Sequence, residues 1–211
     1  MPDNSALFQR AGRIIRSGGL VIVPTETFYA LAADPFHEDL VKRIFRIKRR
    51  PEDKPLPLIA ADRTAVDKVA ARVPRIGRML MDRFWPGSLT ILVAAAVPLP
   101  RFLTGPGGKI GVRVPPPCPA RTLADLAGGW ITATSANLSG DPNPREISDI
   151  AKEILDSVDL VLDLGPAPGG EPSTVVEPLE AGVRIVRHGA VPASALRDLL
   201  TREGVFADVL L

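Results

Sequence analysis

The chain is predicted to fold as an α/β (mixed α+β) protein, a single domain with one large twisted sheet flanked by helices. Three observations predict this. Short apolar strand patterns alternate with amphipathic helical patterns along all 211 residues. No linker is long enough to divide the chain. The composition, 45% hydrophobic and 24% charged, is that of a globular protein with a sizeable core.

The elements follow in order. Ser5 to Arg16 reads as a helix, with Leu7, Ala11, Ile14 and Ile15 on one face and Gly18-Gly19 as its stop. Leu20 to Val23 reads as a buried strand that opens into the polar turn Thr25-Glu26-Thr27. Asp39 to Arg49 is a second amphipathic helix, ended by Pro51. Leu56 to Ala60 is a strand, and Asp62 is placed to cap a helix through Ala71. Pro74 opens a helix to Phe84, and Leu89 to Ala95 and Ile110 to Val114 are strands. Ala120 to Ala127 is a helix and Trp130 to Thr134 a strand. Pro144 to Leu155 has proline at its start and is predicted as a helix. Val158 to Leu164, Thr174 to Glu177 and Val183 to Val186 are strands, and Pro192 to Glu203 is a closing helix. The domain is thus predicted over 1–204, with 205–211 left as an unassigned tail.

The bulk numbers narrow the chemistry. With 26 basic and 24 acidic residues the net charge is +2, so an anion site must come from local clustering. One cysteine, Cys118, permits neither an internal disulfide nor a thiolate metal site. The chain contains no Walker A loop, dinucleotide fingerprint, zinc-protease motif or nucleophile elbow. Two histidines, His37 and His188, lack the supporting motif of a catalytic triad. No signal peptide or membrane-spanning run is evident, so the cytoplasm is expected.

Four places carry unusual polar groups at element ends, where ligand crevices of open sheets form. Thr25-Glu26-Thr27 brings two hydroxyls and a carboxylate out of an apolar strand, although a plain helix cap would use the same residues. Seven basic residues lie between Lys42 and Lys54. Cations are favourable at any helix C-terminus, but Lys48 and Arg50 beside one crevice would also suit a polyphosphate. Thr132 to Gly140 is a dense set of small hydroxyl and amide groups, suited either to a turn or to a ligand. Arg113 interrupts an apolar strand and must face water, a partner or a ligand. Ser173 and Arg187 add further polar groups near strand ends.

These residues carry a resemblance. PTETFYALAAD (24–34), IFRIKRRPEDKPLPL (44–58), FWPGSLTILV (84–93), IGVRVP (110–115), TSANLSGDPNP (134–144), EPSTVVE (171–177) and IVRHGAV (185–191) occur in the order and spacing of the YrdC-like threonylcarbamoyl-AMP synthases. The sequence resembles the short, single-domain bacterial type of that family. The resemblance implies a YrdC-like fold with a basic concave cavity. It implies an enzyme, a nucleotidyltransferase. The reaction joins L-threonine, bicarbonate (or carbon dioxide) and ATP into threonylcarbamoyl-AMP and pyrophosphate, for threonylcarbamoyladenosine modification of tRNA.

The family signature K-x-R and S-x-N falls on Lys48, Arg50, Ser135 and Asn137, implied as catalytic. ATP contacts are implied at Arg50, Lys54, Ser135, Asn143 and Arg187, and L-threonine contacts at Thr27, Arg113 and Ser173. Mg²⁺ is expected to arrive with ATP, without a dedicated carboxylate cage. A tRNA or a downstream tRNA-modifying transferase complex is the implied partner. Three departures stand out: Ala30 and Ala32 replace usual glycines, Lys109 replaces a usual hydroxyl residue, and Pro172 is inserted before Ser173. Two alternatives remain at this point. One is an RNA-binding module using the Lys42–Lys54 cluster, for which stacking aromatics are scarce. The other is a paralogue with a different nucleotide-linked activity.

Overall fold

The computed structural model describes residues 4–71, 73–96, 98–105, 107–205 and 208–210. Positions 206, 207 and 211 of the unassigned tail lie outside them. The described residues form seven α-helices, one 3₁₀ helix and eleven strands. The helices are α1 (Ser5–Arg16), α2 (Glu38–Lys48), α3 (Arg63–Val69), α4 (Arg75–Phe84), α5 (Pro119–Leu126), α6 (Lys152–Leu155) and α7 (Ala193–Arg202). The strands are β1 (Val21–Pro24), β2 (Tyr29–Ala32), β3 (Leu58–Ala60), β4 (Leu89–Ala94), β5 (Lys109–Arg113), β6 (Trp130–Thr132), β7 (Thr134–Ser135), β8 (Leu160–Val161), β9 (Thr174–Leu179), β10 (Gly182–Arg187) and β11 (Asp208–Leu210).

The α/β class holds, but the strands divide between two mixed sheets. A seven-stranded sheet has the order β11-β10-β9-β4-β5-β3-β6, and a four-stranded sheet has the order β7-β2-β1-β8. The second sheet exists because Tyr29–Ala32, which carries no strand pattern in the sequence, turns back as β2 on β1. All four of its residues are buried, so it lacks the alternation that marks a half-exposed strand. The Thr25 side chain closes the turn between them. Its Oγ1 accepts from the Thr27 and Phe28 amides at 3.1 Å each and donates to the Phe28 carbonyl at 2.9 Å.

The predicted strand Trp130 to Thr134 changes sheets partway. β6 pairs with β3 in the large sheet, and after Ala133 the chain enters the small sheet as β7, paired with β2. Thr132 stitches the junction: its amide donates to the Ala33 carbonyl at 2.9 Å, and its hydroxyl accepts from the Ala33 amide at 3.0 Å.

Two further expectations are corrected. Residues 144–155 do not form one helix; a 3₁₀ turn, Ile147–Asp149, precedes the short α6. The Asp149 carboxylate accepts the amides of Arg145 and Glu146, and Ile150 then turns extended to bury its side chain. Of Val158 to Leu164 only β8 pairs, in parallel with β1. Residues 208–210, to which the sequence assigns no element, pair in parallel with β10 at the edge of the large sheet.

Helices α2, α3, α4 and α7 bury their apolar faces in the larger core, while α1 and α5 pack on a second apolar cluster around Val21, Val23 and Ile59. Leu80 of α4 is fully buried in the larger core. Leu80→Ala is expected to cost about 2–5 kcal/mol and to lower the melting temperature on the order of 10 °C, readable by thermal denaturation.

Candidate active site

The register of the large sheet gathers distant residues at one end. β4 and β9 run parallel and begin together, Leu89 opposite Thr174. β5 ends beside the start of β4, and β10 ends beside the start of β9 with Arg187 opposite Val175. Arg113, Thr90, Ser173 and Arg187 therefore meet at a single sheet end. The turn of the β1–β2 hairpin and strand β7 of the small sheet face them.

Two adjoining cavities lie there. The first, about 150 Å³, is lined by Thr25, Thr27, Ala30, Thr134 and Pro172 among others, and by most of the predicted site residues. The second, about 520 Å³, has an apolar wall of Leu92, Val175 and Val186. Arg50, Pro57, Thr90 and Arg187 line both and form the junction. Burial lowers the pKa of Arg50 and of Arg187, and Arg187 adds repulsion at Arg50. Two guanidinium groups converging on one junction, Arg50 half-buried and Arg187 more exposed, favour an anion between them.

Seven predicted site residues line the first cavity: Thr27, Arg50, Arg113, Ser135, Asn143, Ser173 and Arg187. The Ser173 hydroxyl lies 2.8 Å from that of Thr90, and Arg187 Nη2 donates to the Ser173 carbonyl at 2.7 Å. Arg50 is held by donating to the Lys54 carbonyl at 2.7 Å and the Pro55 carbonyl at 3.1 Å, with Phe45 beneath its guanidinium.

The remaining three are placed elsewhere. The Lys54 side chain is exposed and lines neither cavity. Asn137 is buried behind Ser135. Lys48 is 2% exposed and also lies outside both linings. Its Nζ donates to the carbonyls of Ser135 and Asn137 and, at 3.1 Å, to Asn137 Oδ1. Burial, then the charge of Arg50, pulls its pKa down to about 7.

Sequence reading missed Glu26 as a working part of the site. It forms an ion pair with Arg113, the two side chains being 13% and 10% exposed. Burial brings the Arg113 pKa down to about 10, so the guanidinium stays charged at neutral pH. Glu26 is absent from the cavity lining; it stands behind Arg113 and neutralises it. The available signal was a carboxylate and an arginine each emerging from an apolar strand, which need a partner when buried. Also missed was Glu177, 4% exposed, which pairs with Lys109 and Arg184 at the second cavity. Burial pushes its carboxyl up, but the two cations together hold it below the usual range. Ala30, one of the departures, adds a methyl to the wall of the first cavity, and Pro172 lines it too.

A small polar cavity thus adjoins a larger one with an apolar wall and charged residues around it, and Arg50 and Arg187 line both, in an α/β protein. Comparison with known proteins places it more narrowly. The Sua5/YciO/YrdC family model, described as "Telomere recombination", matches residues 13–189, and the chain belongs to that family. A threonylcarbamoyl-AMP synthase of Pyrococcus abyssi is 35% identical over 190 residues, which cover 90% of this chain and 56% of the relative. One from Idiomarina loihiensis is 32% identical over 166 residues, covering 76% of this chain and 88% of the relative. Among solved structures, P. abyssi Sua5 complexed with L-threonine superposes with a TM-score of 0.85 at 35% identity, covering 92% of this chain and 57% of that one. The chain thus spans little more than half of the P. abyssi protein and most of the I. loihiensis one.

Proposed function

We propose that the protein is a threonylcarbamoyl-AMP synthase, acting as a nucleotidyltransferase on ATP, L-threonine and bicarbonate. The observation that carries this reading is the convergence of Arg113, Thr27 and Ser173 in one small cavity that adjoins a larger one at Arg50 and Arg187. Threonine lies in the first cavity, its carboxylate on Arg113 and its hydroxyl near Thr27 or Ser173. The triphosphate crosses the junction, against Arg50 and Arg187, and the nucleoside lies against the apolar wall of the second cavity. Names of relatives and the L-threonine complex of P. abyssi Sua5 support the choice of ligands.

In this arrangement the threonine amine bonds to the bicarbonate carbon and water leaves, giving a carbamate; a carbamate oxygen then attacks the α-phosphorus of ATP as its bond to the bridging oxygen breaks and pyrophosphate leaves. The work is positioning and charge stabilisation, which needs no covalent nucleophile. A guanidinium about 4 Å from a phosphate oxygen contributes roughly 4 kcal/mol at an effective dielectric near 20. Mg²⁺ fits as a companion of the triphosphate. Glu177 is already engaged by two cations, and no group of three or more His, Cys, Asp or Glu suited to a metal occurs among the described residues. Phosphate oxygens and water would hold the ion, where it would offset triphosphate charge. The product would pass to a tRNA-modifying transferase. No helix among the described residues is long and apolar enough to cross a membrane, and a cytoplasmic setting fits this chemistry.

Pyrophosphate release from ATP is expected only when threonine and bicarbonate are both present. Release that persists without threonine would remove the reading. Tight RNA binding with a steep salt dependence would favour the RNA-binding alternative.

A further inference from the structure

We infer that Lys48 is a positioning residue: through Asn137 it orients the Ser135 hydroxyl to accept a hydrogen bond from an N–H of the ligand, and it does not touch the triphosphate. The inference rests on the reading of the site given above and deepens it.

The geometry starts at the end of α2. Arg49 takes a left-handed backbone, φ 49°, which stops the helix, and the Arg50 amide turns back to the Phe45 carbonyl at 2.9 Å. That reversal separates the two signature side chains. Arg50 goes to the cavity junction, and Lys48 goes inward beneath the Ser135–Asn137 turn. An ammonium has three donors and no acceptor. Here the three meet the Ser135 carbonyl, the Asn137 carbonyl and Asn137 Oδ1, so none is left for a phosphate. The Lys48 carbonyl adds a return link by accepting the Ser139 amide at 2.9 Å.

The direction of the next bond follows by elimination. Two of the three oxygens around Lys48 Nζ are carbonyls that can only accept, so Nζ sits as a donor and the Asn137 amide presents its oxygen to it. At the other end Asn137 Nδ2 donates to the Asp141 carbonyl at 2.6 Å, which can only accept. Both contacts fix the same amide orientation. Oδ1 also lies within hydrogen-bond distance of Ser135 Oγ, and an amide oxygen accepts, so the serine proton points to Asn137. Ser135 is one of the residues lining the cavity, and with its proton committed to Asn137 its hydroxyl is left only lone pairs to offer a ligand. That is the wrong polarity for a phosphate oxygen and the right one for a carbamate N–H. The K-x-R and S-x-N residues thus divide their tasks. Arg50 faces the anion, Ser135 faces the amino-acid nitrogen, and Lys48 with Asn137 fixes the serine.

The test is a double-mutant cycle on pyrophosphate release with Lys48→Met, Ser135→Ala and the double variant. Each single variant is expected to lose about 10²-fold in kcat, and the double to lie within about threefold of the worse single. Losses that multiply overturn the inference. Lys48→Arg should do no better than Lys48→Met, because a planar fork does not fit three converging oxygens, whereas it serves a phosphate well. Recovery of wild-type kcat in Lys48→Arg overturns it as well. A second readout is independent of turnover: amide hydrogen exchange at 135–139 should quicken at least about tenfold in Lys48→Met, with exchange in β4 and β9 unchanged. Unaltered exchange at 135–139 sinks the inference. A wild-type protein without threonine-dependent turnover instead removes the functional reading, and the exchange result still decides the role of Lys48.

Discussion

Replacing Arg113 with alanine is expected to lower kcat/KM for threonine by about 10²–10³-fold while leaving the KM for ATP within a few-fold. Arg113 is the cation of the first cavity that stands away from the junction, and it is buried with its own counter-ion. Losing one partner of a desolvated charge pair costs about 2–5 kcal/mol, and each 1.4 kcal/mol is a factor of about ten. The fold should suffer as well. Glu26 would be left as an uncompensated buried carboxylate, a loss of about 3–5 kcal/mol in stability. The variant Arg113→Met with Glu26→Met separates the two effects: thermal melting should recover, and threonine-dependent turnover should not. Turnover restored in that double variant would show that Arg113 does not hold the substrate carboxylate.

Gly189→Ala is expected to cost about 10²-fold in turnover by displacing a residue that lines the first cavity. A methyl at Gly189 would sit 2.7 Å from the Ser173 carbonyl carbon and closer still to the Pro172 carbonyl oxygen. Both obstacles are backbone, so no rotamer change relieves them. The same segment is tied by the Ala190 amide to the Pro172 carbonyl at 2.9 Å and by Arg187 to Ser173. Either Ser173 or Arg187 must move, and a shift near 1 Å in a positioning residue is worth about 10²-fold. The overpacking should also destabilise the fold by about 1–3 kcal/mol. Gly170→Ala is the comparison: its methyl would meet nothing within 4 Å, and only the φ of +100° opposes it. Turnover near wild type in Gly189→Ala, measured as pyrophosphate release, would contradict the tight approach.

The sequence made the long periodic elements readable. α1 coincides with its predicted span, and α2, α4, α7, β4, β5, β9 and β10 lie within a residue or two of theirs. What periodicity could not reveal was pairing. β2 is buried on both faces, β7 and β8 have two residues each, and β11 follows a helix stop, so none carries a repeating pattern. The division into two sheets depends on three of them, β2, β7 and β8, which join β1 in the small sheet, while β11 extends the edge of the large one. In the site, residue types were legible but directions were not. Lys48 and Arg50 are two positions apart, and a single left-handed residue between them sends one beneath the turn and the other to the ligand. Glu26 stood in plain view within a hydroxyl-rich turn. Its partner lies 87 residues further along, and only the folded β5 brings Arg113 against it (113 − 26).

Residues 130–135 belong to both sheets, and Ala133, where the chain crosses over, lines the first cavity together with Thr134 and Ser135. The pocket wall is therefore the seam of the β framework. The two halves of that framework cannot slide past each other without dragging the seam, so the scaffold's rigidity and the pocket's shape are one mechanical property.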